Sequence, residues 1–219
     1  MKRIIIVRHG NTFRKGETPT RVGRNTDLPL VEGERSKAVG DYLLKNKLIP
    51  DVVYVAPLQR TLQTKDYILE QIGQPIETEI VDGFVEIDYG PDENKPEAEV
   101  LLRLGNGDSE SGKEIIDAWN KSGVVPDGWM VDTNQIIQTW KELAATVDDH
   151  EGEDHTAMVV SSNGIIRFAP YLTENFGAFT EQHSIKVATG GLCVFEKDSA
   201  EEHWHCVEWN VVPIKLLKS

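Results

Sequence analysis

Four short clusters in this chain hold residues that could do chemistry together. Arg8-His9-Gly10 closes the first hydrophobic run, Ile4-Ile5-Ile6-Val7. Arg60 ends the stretch Tyr54-Val55-Ala56-Pro57-Leu58-Gln59-Arg60, and two carboxyl groups lie in Glu86-Ile87-Asp88-Tyr89-Gly90. Ser161-Ser162-Asn163-Gly164 follows the apolar run Ala157-Met158-Val159-Val160. A histidine flanked by a cation and a small residue is a candidate nucleophile. Two arginines can bind the non-bridging oxygens of a phosphoryl group bidentately. A carboxyl group can move a proton, and the amides that open a helix favour an anion. Arg8-His9-Gly10 alone is weak, since a histidine at a turn reads the same way. Only the four clusters together suit a phosphoryl group.

The elements that must bring them together alternate along the chain. The expected strands are 3–8, 51–55, 76–81 and a fourth within 155–161. Helices are expected over 31–47, 58–72, with Gly73 as its stop, and 163–176. A hairpin, 192–196 with 203–209, ends the chain. Between the third and fourth strands lies a polar stretch, 84–154, with helical pieces expected near 96–104, 112–121 and 132–148. It has too few apolar residues for a core of its own. The pattern predicts a three-layer α/β fold: a mostly parallel open sheet with helices on both faces, an antiparallel edge and a helical insertion. Residues 1–219 read as one domain, with the insertion at about 84–154 as a cap. In such a sheet the carboxyl ends of the strands share one edge, where ligands bind. All four clusters fall on that edge.

Composition narrows the partners. The chain has 219 residues and a net charge of −13, from 36 acidic and 23 basic side chains. A surface of that sign repels nucleic acid and anionic membranes, so local arginines must overcome the field for any anionic ligand. No run approaches the roughly 20 apolar residues of a membrane span. Cys193 and Cys206 are the only cysteines, which offers neither a disulfide framework nor metal-ligand spacing. They flank the hairpin and read as free thiols in a reducing cytoplasm. The expected partner is a small phosphorylated molecule; oligomeric state is open.

The motifs, taken in order, resemble those of the histidine phosphatase superfamily in its phosphoglycerate-mutase-like branch. Val7-Arg8-His9-Gly10-Asn11-Thr12 matches the opening motif, with asparagine where glutamate is commoner. Thr26-Asp27-Leu28-Pro29-Leu30 with Gly33 resembles the second signature, and Ala56 to Thr64 the third. Glu86 with Asp88 and Gly90 resembles the acid/base segment, and Val159 to Arg167 the last motif. The resemblance implies a phosphohistidine mechanism without metal or cofactor. His9 would attack phosphorus, Arg8 and Arg60 would hold its oxygens, and Glu86, with Asp88 as rival, would be the acid and then the base. Asn11, Ser162 and Asn163 join the expected phosphate contacts.

One departure stands out. The family has a second histidine where Ser162 stands, usually followed by glycine, whereas this chain has Ser162-Asn163. The missing donor predicts a loss of roughly 10²–10³ in rate, unless the serine hydroxyl or the asparagine amide compensates. Both residues could instead cap the helix. No other histidine replaces it easily. His155 lies seven residues earlier, roughly 23 Å along an extended strand, and His150, His203 and His205 belong elsewhere. His183, Arg21 and Thr26 are the candidate substrate contacts. Arg14, Lys15 and Arg24 read as solvated loop charges, and Tyr89, Trp119, Trp129 and Trp140 as packing. Three functions fit: a phosphatase of small phosphomonoesters, an attenuated relative that binds phosphate or a partner, and a phosphoglycerate mutase.

Overall fold

The computed structural model describes residues 1–152 and 154–217. Six strands form one sheet: β1 (Lys2–Arg8), β2 (Val52–Val55), β3 (Glu77–Ile80), β4 (His155–Ser161), β5 (Leu192–Lys197) and β6 (His205–Val211). Their order is β3-β2-β4-β1-β5-β6. The first four run parallel, and β5 and β6 add an antiparallel edge. This is the expected α/β architecture. The register aligns Arg8 with Ser161 and sets Val55 beside Val160 and Ile80, so the carboxyl ends of β1 to β4 share one edge. The last strand starts two residues later than the sequence pattern suggested. His203 therefore lies outside it, exposed, beside Glu174 and Glu202. Both cysteines are free thiols.

Strand alternation assigns the two faces. Ile5, Val7, Val53, Val55, Met158 and Val160 point to one side, covered by α1 (Glu34–Lys45) and α2 (Gln59–Ile72) through Val39, Leu43, Ile68 and Ile72. Ile4, Ile6, Ala157 and Val159 point to the other. The insertion carries α3 (Glu97–Leu104), α4 (Ser109–Ser122) and α5 (Thr133–Asp148). Its apolar residues join the core of this second face, and α5 lies against β1 and β4. Central β4 is buried along its whole length. Gly73 ends α2 with φ 74°, the left-handed stop that glycine takes without strain.

The helix expected over 163–176 is broken. A four-residue turn, α6 (Asn163–Ile166), gives way to a 3₁₀ segment, Ala169–Thr173, and then to α7 (Phe176–Gln182). Pro170 has no N–H to donate and disfavours helical geometry at Ala169. Asn175 then starts α7 by accepting from the Ala178 amide at 3.2 Å. A last turn, α8 (Pro213–Leu216), follows β6. Among the described residues no helix is long and apolar enough to cross a membrane.

Trp140 couples the insertion to the last motif. It is fully buried, meets Phe84 at 4.9 Å between ring centroids, and donates from Nε1 to the Ile165 carbonyl at 3.0 Å. Trp140→Phe removes that bond, leaves the Ile165 carbonyl with the Phe168 amide alone at 3.2 Å, and opens a gap in the core beside Phe84. The expected cost is about 1–3 kcal/mol, read by urea denaturation against the wild type.

Candidate active site

His9 leaves the end of β1 and is 6% exposed. Its backbone is pinned from both sides. The His9 amide donates to Ser161 of β4 at 3.1 Å, and its carbonyl accepts from Gly190, before β5, at 3.1 Å. Nδ1 lies 2.8 Å from the Gly10 carbonyl. A carbonyl only accepts, so Nδ1 carries the proton and Nε2 keeps its lone pair. Burial, followed by the charges of Arg8 and Arg60, holds the imidazole pKa well below its usual range. At neutral pH the ring is an uncharged base and nucleophile.

The arginines are held by backbone carbonyls. Arg8 donates to Val187 at 2.5 Å. Arg60 comes from the first turn of α2, which Asp27 opens by accepting from the Gln59 amide at 2.7 Å. Its guanidinium is fully buried and donates to Thr26 at 2.8 Å, Gly23 at 3.1 Å and Val22 at 3.4 Å. Arg60 lies behind the cavity wall and is not among the lining residues. Its charge still lowers the pKa of His9 and favours the ionised form of Glu86. Three loop carbonyls claim the guanidinium, and its buried Nε has no partner; its direct contact with a phosphoryl group stays a proposal.

Glu86 faces the cavity and is 4% exposed. Burial pushes its pKa up, opposed by hydrogen bonds and by Arg60 and Arg8. The Ile87 amide donates to Oε1 at 2.9 Å and the Gly164 amide to Oε2 at 3.3 Å. Asp88 does not line the cavity. Its carboxylate accepts from the Gly90 amide at 2.8 Å and shapes the turn. Of the two rivals, Glu86 is the one in the cavity wall.

The departure at Ser162 takes an unexpected form. Ser162 is fully buried, its Oγ has no partner, and it does not line the cavity. It starts α6 by backbone position but caps nothing with its side chain. Side-chain capping is therefore not met, and the free Oγ keeps its phosphate contact as a proposal. Asn163 does line the cavity. The Val187 amide donates to its Oδ1 at 2.8 Å, which orients the amide and leaves Nδ2 as its donor. The Gly164 amide is taken by Glu86, so α6 offers an anion less than its start suggested.

The cavity has a volume of about 940 Å³. Arg8, His9, Asn11, Glu86 and Asn163 lie in its wall. Asn11 accepts from the Thr189 hydroxyl at 2.6 Å. Arg14, Lys15, Arg35 and Lys186 add positive charge around it, so a chain of net charge −13 encloses a basic cavity. Arg14 and Lys15 belong to this wall as well as to solvent. Arg21 also lines it, as expected. Thr26 and His183 do not. The Thr26 hydroxyl donates to Glu93 at 2.7 Å, and exposed His183 lies against Phe179. The structure thus holds Thr26 against the insertion and sets His183 exposed just after α7, outside the cavity wall. His150 and His155 stack at 3.6 Å near the start of β4, at the far edge of the sheet.

Arg167, Tyr89, Arg35 and Lys186 were missed as cavity residues. Arg167 had a signal: it is the one charge within Ile165-Ile166-Arg167-Phe168-Ala169. It is 1% exposed, donates to Trp119 at 2.7 Å, and burial brings its pKa down to about 10. It therefore stays charged at neutral pH.

Known proteins share this fold. Mycobacterial glucosyl-3-phosphoglycerate phosphatase, solved with VO3, superposes with a TM-score of 0.72 at 18% identity, over 96% of this chain and 100% of that one. Entamoeba histolytica phosphoserine phosphatase, solved with 3-phosphoglyceric acid, gives 0.70 at 20% identity, over 96% and 98%. The 2,3-bisphosphoglycerate-dependent phosphoglycerate mutase of Brucella ovis is 26% identical over 168 residues, 75% of this chain and 77% of that protein.

A Cβ at Gly164 would overlap Glu86 Oε1. Gly164→Ala should push the carboxyl group aside and lower turnover of a phosphomonoester at least about ten-fold, as expected when a positioned proton donor is displaced. Steady-state kinetics beside a thermal melt would separate this from unfolding. The model of the histidine phosphatase superfamily (branch 1) matches residues 4–212, and the chain belongs to that family.

Proposed function

We propose that this protein is a phosphatase that hydrolyses a small phosphomonoester through a phosphohistidine on His9, with no metal required. The observation that carries the reading is the state of His9: a neutral imidazole with Nδ1 tied to Gly10 and Nε2 free, facing a basic cavity that also holds Glu86. Nε2 attacks phosphorus in line and forms the P–N bond as the P–O bond to the alcohol breaks. Protonated Glu86 gives its proton to the departing oxygen. The resulting carboxylate then takes a proton from water, whose oxygen attacks phosphorus. The P–N bond breaks, and phosphate and neutral His9 are released. Arg8 and Arg60, by contact and by field, offset the charge of a loose transition state, and Asn163 Nδ2 adds a neutral donor. The VO3-bound mycobacterial phosphatase and the phosphoserine phosphatase share this fold and lend support.

A specific observation favours a second reading, an attenuated relative that binds phosphate or a partner. Serine stands where the family has a histidine donor, and its hydroxyl is buried without a partner and outside the cavity wall. The Brucella mutase likeness keeps mutase activity as a third reading. A mutase must hold its phosphoryl group long enough to return it, a demand that loss of a site donor serves poorly.

Purified protein should release phosphate from an aryl phosphate in the presence of a chelator. Turnover no greater than that of His9→Ala would overturn the phosphatase reading. Ser162→His should raise the rate if the missing donor limits catalysis; a wild type near background with a restored Ser162→His variant would identify the attenuated relative.

The pH profile follows from the two shifted groups. Protonation of His9 removes the nucleophile, so the acid limb falls below the ordinary imidazole range. Ionisation of Glu86 removes the proton donor, so the alkaline limb lies above the ordinary carboxylate range. The expected profile of kcat/KM is a bell whose two limbs belong to His9 and Glu86. Glu86→Gln should flatten the alkaline limb. It should also cost about 10²–10⁴ with an alkyl phosphate and much less with an aryl phosphate whose leaving group needs no proton.

A further inference from the structure

Asn210 is bent where an edge strand would run straight. It lies in β6 with φ 56°, a left-handed backbone that asparagine adopts more readily than most residues. The pairing of β6 with β5 slips at this place. Leu192 pairs with Val211 and Val194 with Glu208, so β6 has one more residue than β5 between the two pairs. Such a bulge re-aims a side chain. The Asn210 amide donates to Cys193 Sγ at 3.4 Å, and its side chain turns to the segment before β5, where Oδ1 accepts from the Ala188 amide at 2.8 Å.

The Ala188 amide belongs to the same peptide unit as the Val187 carbonyl, and that carbonyl holds Arg8. Arg8 Nη1 donates to it at 2.5 Å, while the buried Nε has no partner. Among the described residues, one hydrogen bond therefore sets the aim of this guanidinium. The other side of Val187 is tied as well, since its amide donates to Asn163 Oδ1 at 2.8 Å. Val187 is fully buried, and two asparagine side chains fix the peptide units on either side of its Cα. A peptide whose N–H is bonded is also the stronger acceptor at its C=O. Asn163 lies in the cavity wall and Asn210 does not.

We propose that Asn210 is a positioning residue for Arg8: from outside the cavity it fixes the Val187–Ala188 peptide, whose carbonyl points the guanidinium at the phosphoryl group. The proposal rests on the phosphatase reading for the group that Arg8 meets. With that peptide free to turn, Arg8 keeps its charge and loses its direction. Phosphate affinity and rate then fall together, and the field at His9 changes with them.

Three variants test it, each checked for folding by a thermal melt. Asn210→Gly keeps the left-handed turn and removes the acceptor. Asn210→Ser is too short to reach the Ala188 amide and leaves the unfolded chain less free than glycine does. Asn210→Asp keeps an acceptor of the same shape. The first two should weaken calorimetric binding of inorganic phosphate about ten-fold, the scale of a hydrogen bond to a charged group, and lower kcat/KM for an aryl phosphate by at least as much. Their acid limb should move toward the ordinary imidazole range, because Arg8 is one of the two cations that hold the His9 pKa down. Asn210→Asp should stay near wild type in phosphate affinity and rate. In an Arg8→Met background, Asn210→Gly should weaken phosphate binding no further. An unchanged phosphate affinity or acid limb in a folded acceptor-free variant, an equal loss in Asn210→Asp, or a full further loss beside Arg8→Met would overturn the proposal. If wild-type protein hydrolyses no phosphate ester, the phosphatase reading falls, and phosphate calorimetry still decides the role of Asn210.

Discussion

The structure depends on keeping positive charge buried beside one imidazole. Arg60 and Arg167 are almost wholly removed from water, and Arg8 is partly so. A buried cation is costly unless its protons find acceptors. Here the acceptors are backbone carbonyls: Val187 for Arg8, three loop carbonyls for Arg60, Asn163 and Trp119 for Arg167. A carbonyl satisfies a guanidinium proton without cancelling its charge. The field therefore survives at His9, where carboxylate partners would have neutralised it. The carboxyl group that shares this space, Glu86, is itself pushed toward its neutral form by burial. Much of the surrounding loop structure can be understood as a scaffold of carbonyls aimed inward.

The same constraint explains the shape of the last motif. A continuous helix after β4 would direct its amides at the cavity and its side chains along one axis. Pro170 stops that helix after one turn. The short turn lets Gly164 reach Glu86, Asn163 reach Val187 and Arg167 fold back over Trp119. Three different tasks are thus done by five consecutive residues. The rest of the insertion supports this turn from behind through Trp140.

The sequence reading succeeded where periodicity and strand ends decide the outcome. The continuous apolar runs Ile4 to Val7 and Ala157 to Val160 were enough to set the central strands of the sheet and the edge on which Arg8 and His9 lie. It failed where a side chain's direction depends on partners distant in the chain. Arg60 sits at the expected turn of the expected helix, yet carbonyls of residues 22–26 turn its guanidinium inward. Ser162 follows β4 at the expected place, but its hydroxyl is fully buried without a partner. Arg167 looked like the end of a motif because nothing in its neighbourhood announces Trp119, 48 residues away. His183 precedes an expected edge strand, and the unforeseen helix 176–182 moved it to the surface. Short-range rules reached the frame, and long-range hydrogen bonds set the aim of the polar groups within it.

Glu93 belongs to the insertion, yet it accepts from Gly23, Asn25, Thr26 and Tyr89. The loop it gathers is the loop whose carbonyls hold Arg60. A change in the insertion that favours a new leaving group will therefore be transmitted to the charge beside the nucleophile. Selectivity and rate are mechanically geared in this enzyme family member. Attempts to evolve one should drag the other with it, and compensating changes should be sought between residues 22 and 26, where the chain passes from the cavity wall at Val22 to the hold on Arg60.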